Sequence, residues 1–320
     1  MKGKHTVIVR NRRIQFTLEL ERNITIIRGD SATGKTTLIG MMRDYESLGE
    51  QSGVTISCDR PCRILTSIDW RERLRTFENS IVFVDEGNSF VTSQDFAGAI
   101  RGTSNYYVLI TRESLYQLPY SYEAVLELRK TTSKSKRTYN KSYPYYKTLQ
   151  AVPDKLSSVD SILTEDSNAG NQMFTRIAAQ YGKRCESAQG KSNIFKFLLQ
   201  SNYPRTLVVA DGAAFGADIE KVYQFSALHT GRVTLYLPES FEWLLLKSGI
   251  IRDSALDVIL EAPGDHIDPM QYFSWEQYFT ALLISLTSES DYMRYNKNHL
   301  APFYLQDTNV TRVLQAMEVE

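Results

Sequence analysis

The residues best suited to chemistry form one stretch, Gly29-Asp30-Ser31-Ala32-Thr33-Gly34-Lys35-Thr36. It follows a largely apolar run, Ile24 to Ile27, and stands directly before a helix-like segment, Thr37 to Arg43. A strand feeding a glycine-rich turn that opens a helix lets successive backbone N–H groups converge on phosphate oxygens, with the positive end of the helix dipole behind them. Gly29 and Gly34 permit the tight turn and let the backbone approach a phosphate without a Cβ in the way. Lys35 then reaches the β- and γ-phosphates as a mobile point charge, the Thr36 hydroxyl is a hard ligand for Mg²⁺, and Thr37 adds a polar side chain to the same phosphate-binding turn.

This stretch resembles the Walker A motif of the P-loop NTPase superfamily over its whole length. Downstream, Ile81-Val82-Phe83-Val84-Asp85-Glu86 is an apolar run ending in two carboxylates, as expected of a buried parallel strand whose C-terminal end faces a ligand. It resembles Walker B followed by a catalytic glutamate. The resemblance implies that Asp85 holds Mg²⁺ beside Thr36 and that Glu86 orients or deprotonates the attacking water. Asn105 to Thr111 supplies another core strand, with Thr111 and Arg112 at its tip. Many P-loop ATPases place a γ-phosphate sensor there, so both are sensor candidates; the other reading of Arg112 is a pairing with a surface acid. No Asn-Lys-x-Asp guanine motif is present, which favours ATP over GTP. The resemblance also raises a homodimer, because ATPases of this type often complete their site across two copies.

The elements that must hold these groups follow from periodicity. His5 to Arg10 and Arg13 to Leu20 alternate polar and apolar residues around a turn at Asn11-Arg12, an antiparallel hairpin leading into the Ile24 strand. That opening is similar to ATPases of the ABC and RecF type, although no Leu-Ser-Gly-Gly-Gln type signature and no long helical insertion follow. Val54 to Cys58 and Ile64 to Ser67 read as short strands, and Asp69 to Glu78 as a helix. From Arg129 to Lys147 the chain carries seven cations, no acid and four tyrosines. This stretch is either a solvated hairpin or linker or a surface for nucleic acid, in which lysines meet phosphates and tyrosines stack on bases. The expected domains are thus residues 1–128, a P-loop ATPase with a parallel sheet and an N-terminal antiparallel hairpin; residues 129–157, a basic, Tyr-rich linker or hairpin; and residues 158–320, a second α/β domain.

In that second part strands at Ser161–Thr164, Arg184–Ser187, Thr206–Ala210 and Val233–Leu237 alternate with helical stretches, which predicts a parallel sheet of Rossmann type with acid-tipped strand ends on one edge. Glu165 ends the first of these strands and Asp211 the third. If the two strands are neighbours, the carboxylates converge on a site for Mg²⁺. The arrangement resembles a Toprim domain, whose Asp-x-Asp-x-x-Gly stretch reads here Asp211-Gly212-Ala213-Ala214-Phe215-Gly216. Ala213 replaces the second aspartate, so the resemblance is to a degenerate member. The segments Pro238 to Trp243 and Glu261 to His266 put acids, a histidine and aromatics near turns that could line the same edge. Ser274, with Gln277 three residues on, caps a C-terminal helix, and Thr311 to Met317 is a last one.

Composition is neutral: 320 residues with Lys plus Arg and Asp plus Glu at 37 each and 42% hydrophobic. It excludes a global bias toward nucleic acid, and no apolar run reaches the ~20 residues of a bilayer span. A cytoplasmic location without membrane partners is expected. An ATPase followed by a Toprim-like domain is similar to the architecture of OLD-family nucleases. That likeness implies an ATP-hydrolysing protein whose nucleotide state gates a nucleic-acid-directed, Mg²⁺-dependent second domain in a defence or mobile-element setting. The alternative is an ATP-dependent switch with a catalytically inactive Toprim-like binding module. A small-molecule kinase is disfavoured, since no Arg-rich lid segment is evident.

Overall fold

The computed structural model describes residues 1–29, 33–66, 68–131, 137–146, 155–201 and 204–319. The chain is mixed α/β and divides into two compact units, Met1–Lys147 with Ala262–Phe273, and Thr148–Glu261 with Ser274–Glu320.

The first unit is built on a nine-stranded sheet: β1 (His5–Arg10), β2 (Ile14–Leu20), β3 (Ile24–Arg28), β4 (Thr55–Ser57), β5 (Cys62–Leu65), β6 (Ile81–Val84), β7 (Tyr106–Ile110), β8 (Val125–Thr131) and β9 (Thr138–Pro144). Its spatial order is β4-β1-β2-β9-β8-β3-β7-β6-β5. The stretch β8-β3-β7-β6-β5 is parallel throughout, and every residue of β3, β6 and β7 is buried. That explains their unbroken apolar runs, since a strand covered on both faces has no polar side. In contrast, β1 and β2 pair antiparallel and bury alternate residues.

The two edge strands are consecutive in sequence. Only residues 58–61 join β4 to β5, a link that reaches at most about 18 Å. A flat sheet of nine strands is roughly 38 Å wide. The sheet must therefore curl, and the helix α1 (Lys35–Leu48) lies inside the curl, packing on β1, β4 and β5. Leu38, Ile39, Met41 and Met42 from α1 join Val7, Phe16, Ile64, Phe83 and Val108 in one buried core. The remaining helices, α2 (Trp70–Arg75) and α3 (Gln94–Ile100), connect the parallel strands.

Val125–Thr131 and Thr138–Pro144 are an antiparallel strand pair, the hairpin of the two readings of this stretch. β8 pairs parallel with β3 and antiparallel with β9, and β9 pairs parallel with β2, so the two strands join the parallel part of the sheet to the hairpin. Residues 262–273 also belong to the first unit, where Gly3 N donates to Gly264 O at 2.8 Å and Asn23 Nδ2 to Phe273 O at 3.0 Å.

The second unit has a four-stranded parallel sheet, β10 (Ser161–Thr164), β11 (Arg184–Ser187), β12 (Thr206–Val209) and β13 (Val233–Tyr236), in the order β11-β10-β12-β13. Around it lie α4 (Ala169–Gln180), α5 (Ile194–Gln200), α6 (Ile219–Leu228), α7 (Phe241–Lys247), α8 (Leu256–Glu261), α9 (Trp275–Thr287) and α10 (Asp307–Ala316). Ser274 caps α9 as its spacing predicts, its Oγ accepting from Gln277 N. Among the described residues no helix is long and apolar enough to cross a membrane.

Candidate functional site

In the first unit the turn between β3 and α1 opens at Gly29, with φ +124°, and closes at Gly34, with φ +96°. Both values lie where a side chain would be strained. At Gly34 space is tight as well, for a Cβ there would stand 3.0 Å from Phe16 Cε1 and the ring would have to give way. Asp30, Ser31 and Ala32 lie outside the described residues. Lys35 is buried, and its ammonium bends back to donate to Gly29 O and, at 3.3 Å, to Thr33 Oγ1. Thr36 and Thr37 are exposed on the first turn of α1, which contains no acid. The amide end of a 14-residue helix thus faces outward without a carboxylate in its own first turn, the geometry of an anion site.

Register brings the other candidates to the same sheet edge. Ile27 pairs with Ile110 and Val84 with Leu109. Gly29, Thr111-Arg112 and Asp85-Glu86 therefore leave three adjacent parallel strands together. Each acid already has a cation: Arg43 Nη2 lies 3.0 Å from Asp85 Oδ2, and Arg112 Nε 3.1 Å from Glu86 Oε1. Asp85 Oδ1 also accepts from Glu86 N at 2.8 Å. The Thr111 hydroxyl accepts from Glu113 N at 3.0 Å. Arg43 did not stand out in the sequence, yet the signal was there. It follows Thr36 by two helical turns, so both lie on one face of α1, and the Arg43–Asp85 pair turns that face toward the end of β6.

No family model matches this chain, and no curated protein or solved structure gives a significant match. What the site can do rests on its own geometry.

In the second unit β10 and β12 are parallel neighbours, with Thr164 opposite Val209. Glu165 and Asp211 follow them and do meet: Asp211 N donates to Glu165 Oε2 at 3.1 Å, and Phe241 N donates to Asp211 Oδ1 at 2.9 Å. Burial pushes the Glu165 carboxyl up to about 7, against the opposing bond from the Asp211 amide. Burial, then the charges of Glu276, Glu165 and Glu242, hold Asp211 well above the usual carboxylate range. A cavity of about 40 Å³ opens beside them, lined in part by Glu242, Tyr295 and Lys297.

Glu242 is 1% exposed; its Oε1 accepts from Tyr295 OH at 2.7 Å, while among the described residues Oε2 has no partner. The Lys297 ammonium meets Glu276 at 2.7 Å. Burial works against its proton, but Glu276 and Glu242 outweigh that and raise it. Ala213 is buried and does not line the cavity. Of the two turns expected at this edge, the one holding Glu242 is present. Most of the other, Ala262 to His266, belongs to the first unit. Among the described residues no three Asp, Glu, His or Cys side chains are placed to hold a metal ion.

The basic stretch is partly committed within its own unit. Arg129 pairs with Glu127 and lies 5.4 Å from the Tyr143 ring centroid. Tyr146 is buried, and Arg28 Nη1 donates to its hydroxyl at 2.9 Å. Lys130 and Lys141 are exposed, whereas Lys134, Lys136 and Lys147 lie outside the described residues.

Proposed function

We propose that the first unit is an ATP-binding and ATP-hydrolysing site of the P-loop type. The observation that carries this reading is the joint emergence of Gly29, Asp85-Glu86 and Thr111-Arg112 from the C-terminal ends of β3, β6 and β7, with Gly34 and Lys35 opening α1. Among the parallel strands β3 is followed in sequence by β5 and β7 by β8, which lie on opposite sides of the β3–β7 pair, and such a divergence leaves a crevice at the C-terminal ends of the two strands, where α/β sheets bind ligands. Lys35 and the first-turn amides of α1 bind and orient the β- and γ-phosphates. The hard oxygens of Thr36 and Asp85 suit Mg²⁺, which when bound neutralises developing phosphate charge. Glu86 accepts a proton from the attacking water, and Arg112, beside it, faces the charge that develops on the γ-phosphate.

For the second unit we propose a Toprim-like module directed at nucleic acid and gated by the nucleotide state of the first. Glu165 and Asp211 are its Mg²⁺ candidates, because Mg²⁺ keeps several waters and is often held by only one or two carboxylates. One observation favours a binding module over a nuclease: Glu165 and Asp211 each accept a backbone amide, and buried Ala213 offers no further carboxylate.

The purified chain with Mg²⁺ or Mn²⁺ and ATP tests both parts. Release of phosphate that Lys35→Ala abolishes supports the ATPase; absence of ATP binding refutes it. Cleavage of plasmid or single-stranded DNA that Asp211→Ala removes while ATP turnover persists supports the nuclease. ATP turnover with intact DNA leaves the binding module.

A further inference from the structure

Asn140 on β9 is a buried polar residue on the sheet face that receives α1. It is 1% exposed, and among the described residues neither Oδ1 nor Nδ2 has a hydrogen-bond partner. A buried amide with both ends unmet is unfavourable, so such a group calls for a ligand that completes it.

Register locates it. Asn140 stands opposite Phe16 on β2 and opposite Lys130 on β8. The Phe16 ring is what a Cβ on Gly34 would meet, so this face of the row abuts Gly34 at the start of α1. Arg28, the last residue of β3, pairs with Glu127. Lys130 therefore lies three residues beyond the end of β3. The row Phe16, Asn140, Lys130 runs beside the phosphate cradle from a ring packed on Gly34 to an exposed ammonium.

We infer that Asn140 is a nucleotide-contacting residue whose carboxamide hydrogen-bonds the nucleoside part, base edge or ribose hydroxyl, of the bound nucleotide. This rests on the ATP-site reading above. A phosphate oxygen only accepts and would leave Oδ1 unmet. A base edge or a ribose hydroxyl offers a donor and an acceptor together, which is what a carboxamide needs.

Calorimetric titration of the full chain with MgATP and with magnesium tripolyphosphate separates the two kinds of contact. Asn140→Leu keeps the volume, removes the unbonded amide and should hold or raise the urea midpoint. It should weaken MgATP by about tenfold or more, as expected for loss of a buried hydrogen-bonded pair, and leave tripolyphosphate unchanged. Should Asn140→Leu fail to fold, Asn140→Ala carries the same pair of titrations. Unchanged MgATP affinity in the folded variant overturns the inference, as does an equal fall for tripolyphosphate. A wild-type chain that binds neither compound refutes the ATP site itself, a result distinct from both.

Discussion

Gly34→Ala perturbs two features of the turn at once, and the structure separates them. The backbone there has φ +96°, and placing a side chain in left-handed conformation costs about 1–2 kcal/mol. The new Cβ would also lie 3.0 Å and 3.2 Å from two carbons of the Phe16 ring. That ring is fully buried in the α1 core, where overpacking costs about 1–3 kcal/mol. The expected loss is therefore about 2–5 kcal/mol. It is read from urea unfolding followed by Trp70, the tryptophan of the first unit, in a Trp243→Phe, Trp275→Phe background. Phe16→Leu shortens the opposing side chain and should recover the contact part but not the backbone part. The double-mutant cycle then shows a favourable coupling of about 1–3 kcal/mol with a residual loss that Phe16→Leu cannot repair. A loss below about 1 kcal/mol for Gly34→Ala, or the same loss with and without Phe16→Leu, would refute the packing of Phe16 against this turn.

Three other outcomes are expected. Lys35→Ala should weaken MgATP by at least about 100-fold, since it removes the charge placed over the turn; retention of affinity within a few fold sinks the cradle. Glu86→Gln should bind MgATP like wild type and lose at least about 100-fold in turnover; unchanged turnover would move the base elsewhere. In the second unit, the folded chain keeps the Glu165 proton up to about 7, whereas the unfolded chain releases it near 4.5. The folded state binds more protons between those values, so this contribution is complete below 4.5, is lost as pH rises to about 7, and is flat above. With a chelator present, wild type should lose up to about 3 kcal/mol across that window relative to Glu165→Gln. A wild-type-minus-variant difference that does not vary between pH 4.5 and 7 contradicts it.

The parts of the fold legible in sequence are those where one local rule dominates. β3, β6 and β7 are apolar throughout because both faces are covered, and Asp85 and Thr111 mark where cover ends. The hairpin alternates because only one face is packed. β8 and β9 were obscured by charge. Arg129 and Lys141 lie on the outward face, and the inward row, Leu128, Lys130, Asn140 and Ser142, is too mixed to show a period. Ala262–Phe273 could not be assigned to the first unit from sequence, because the bonds that hold it, Gly3 N to Gly264 O and Asn23 Nδ2 to Phe273 O, end on its main-chain carbonyls, which leave no residue signature. Glu165 and Asp211 were legible through the alternation of strands and helices. Tyr295 and Lys297 were not, for they reach the cavity from a turn more than 80 residues further on.

The curl of the first sheet gives these local features a common consequence. With only residues 58–61 between its two edges, the sheet encloses α1, and the turn at Gly34 is pressed between that helix and Phe16. The amide end of α1 is thereby fixed, while the nearby acids are held by side chains from two different elements, Arg43 from α1 and Arg112 from the tip of β7. Both pairs are partly exposed, so each is worth at most about 1 kcal/mol and is readily exchanged. On the ATPase reading that weakness is what the site needs. A γ-phosphate would draw Arg112 away from Glu86, and Asp85 would exchange Arg43 for Mg²⁺. A single ligand therefore breaks both pairs, which frees Glu86 for water only once the phosphates are in place.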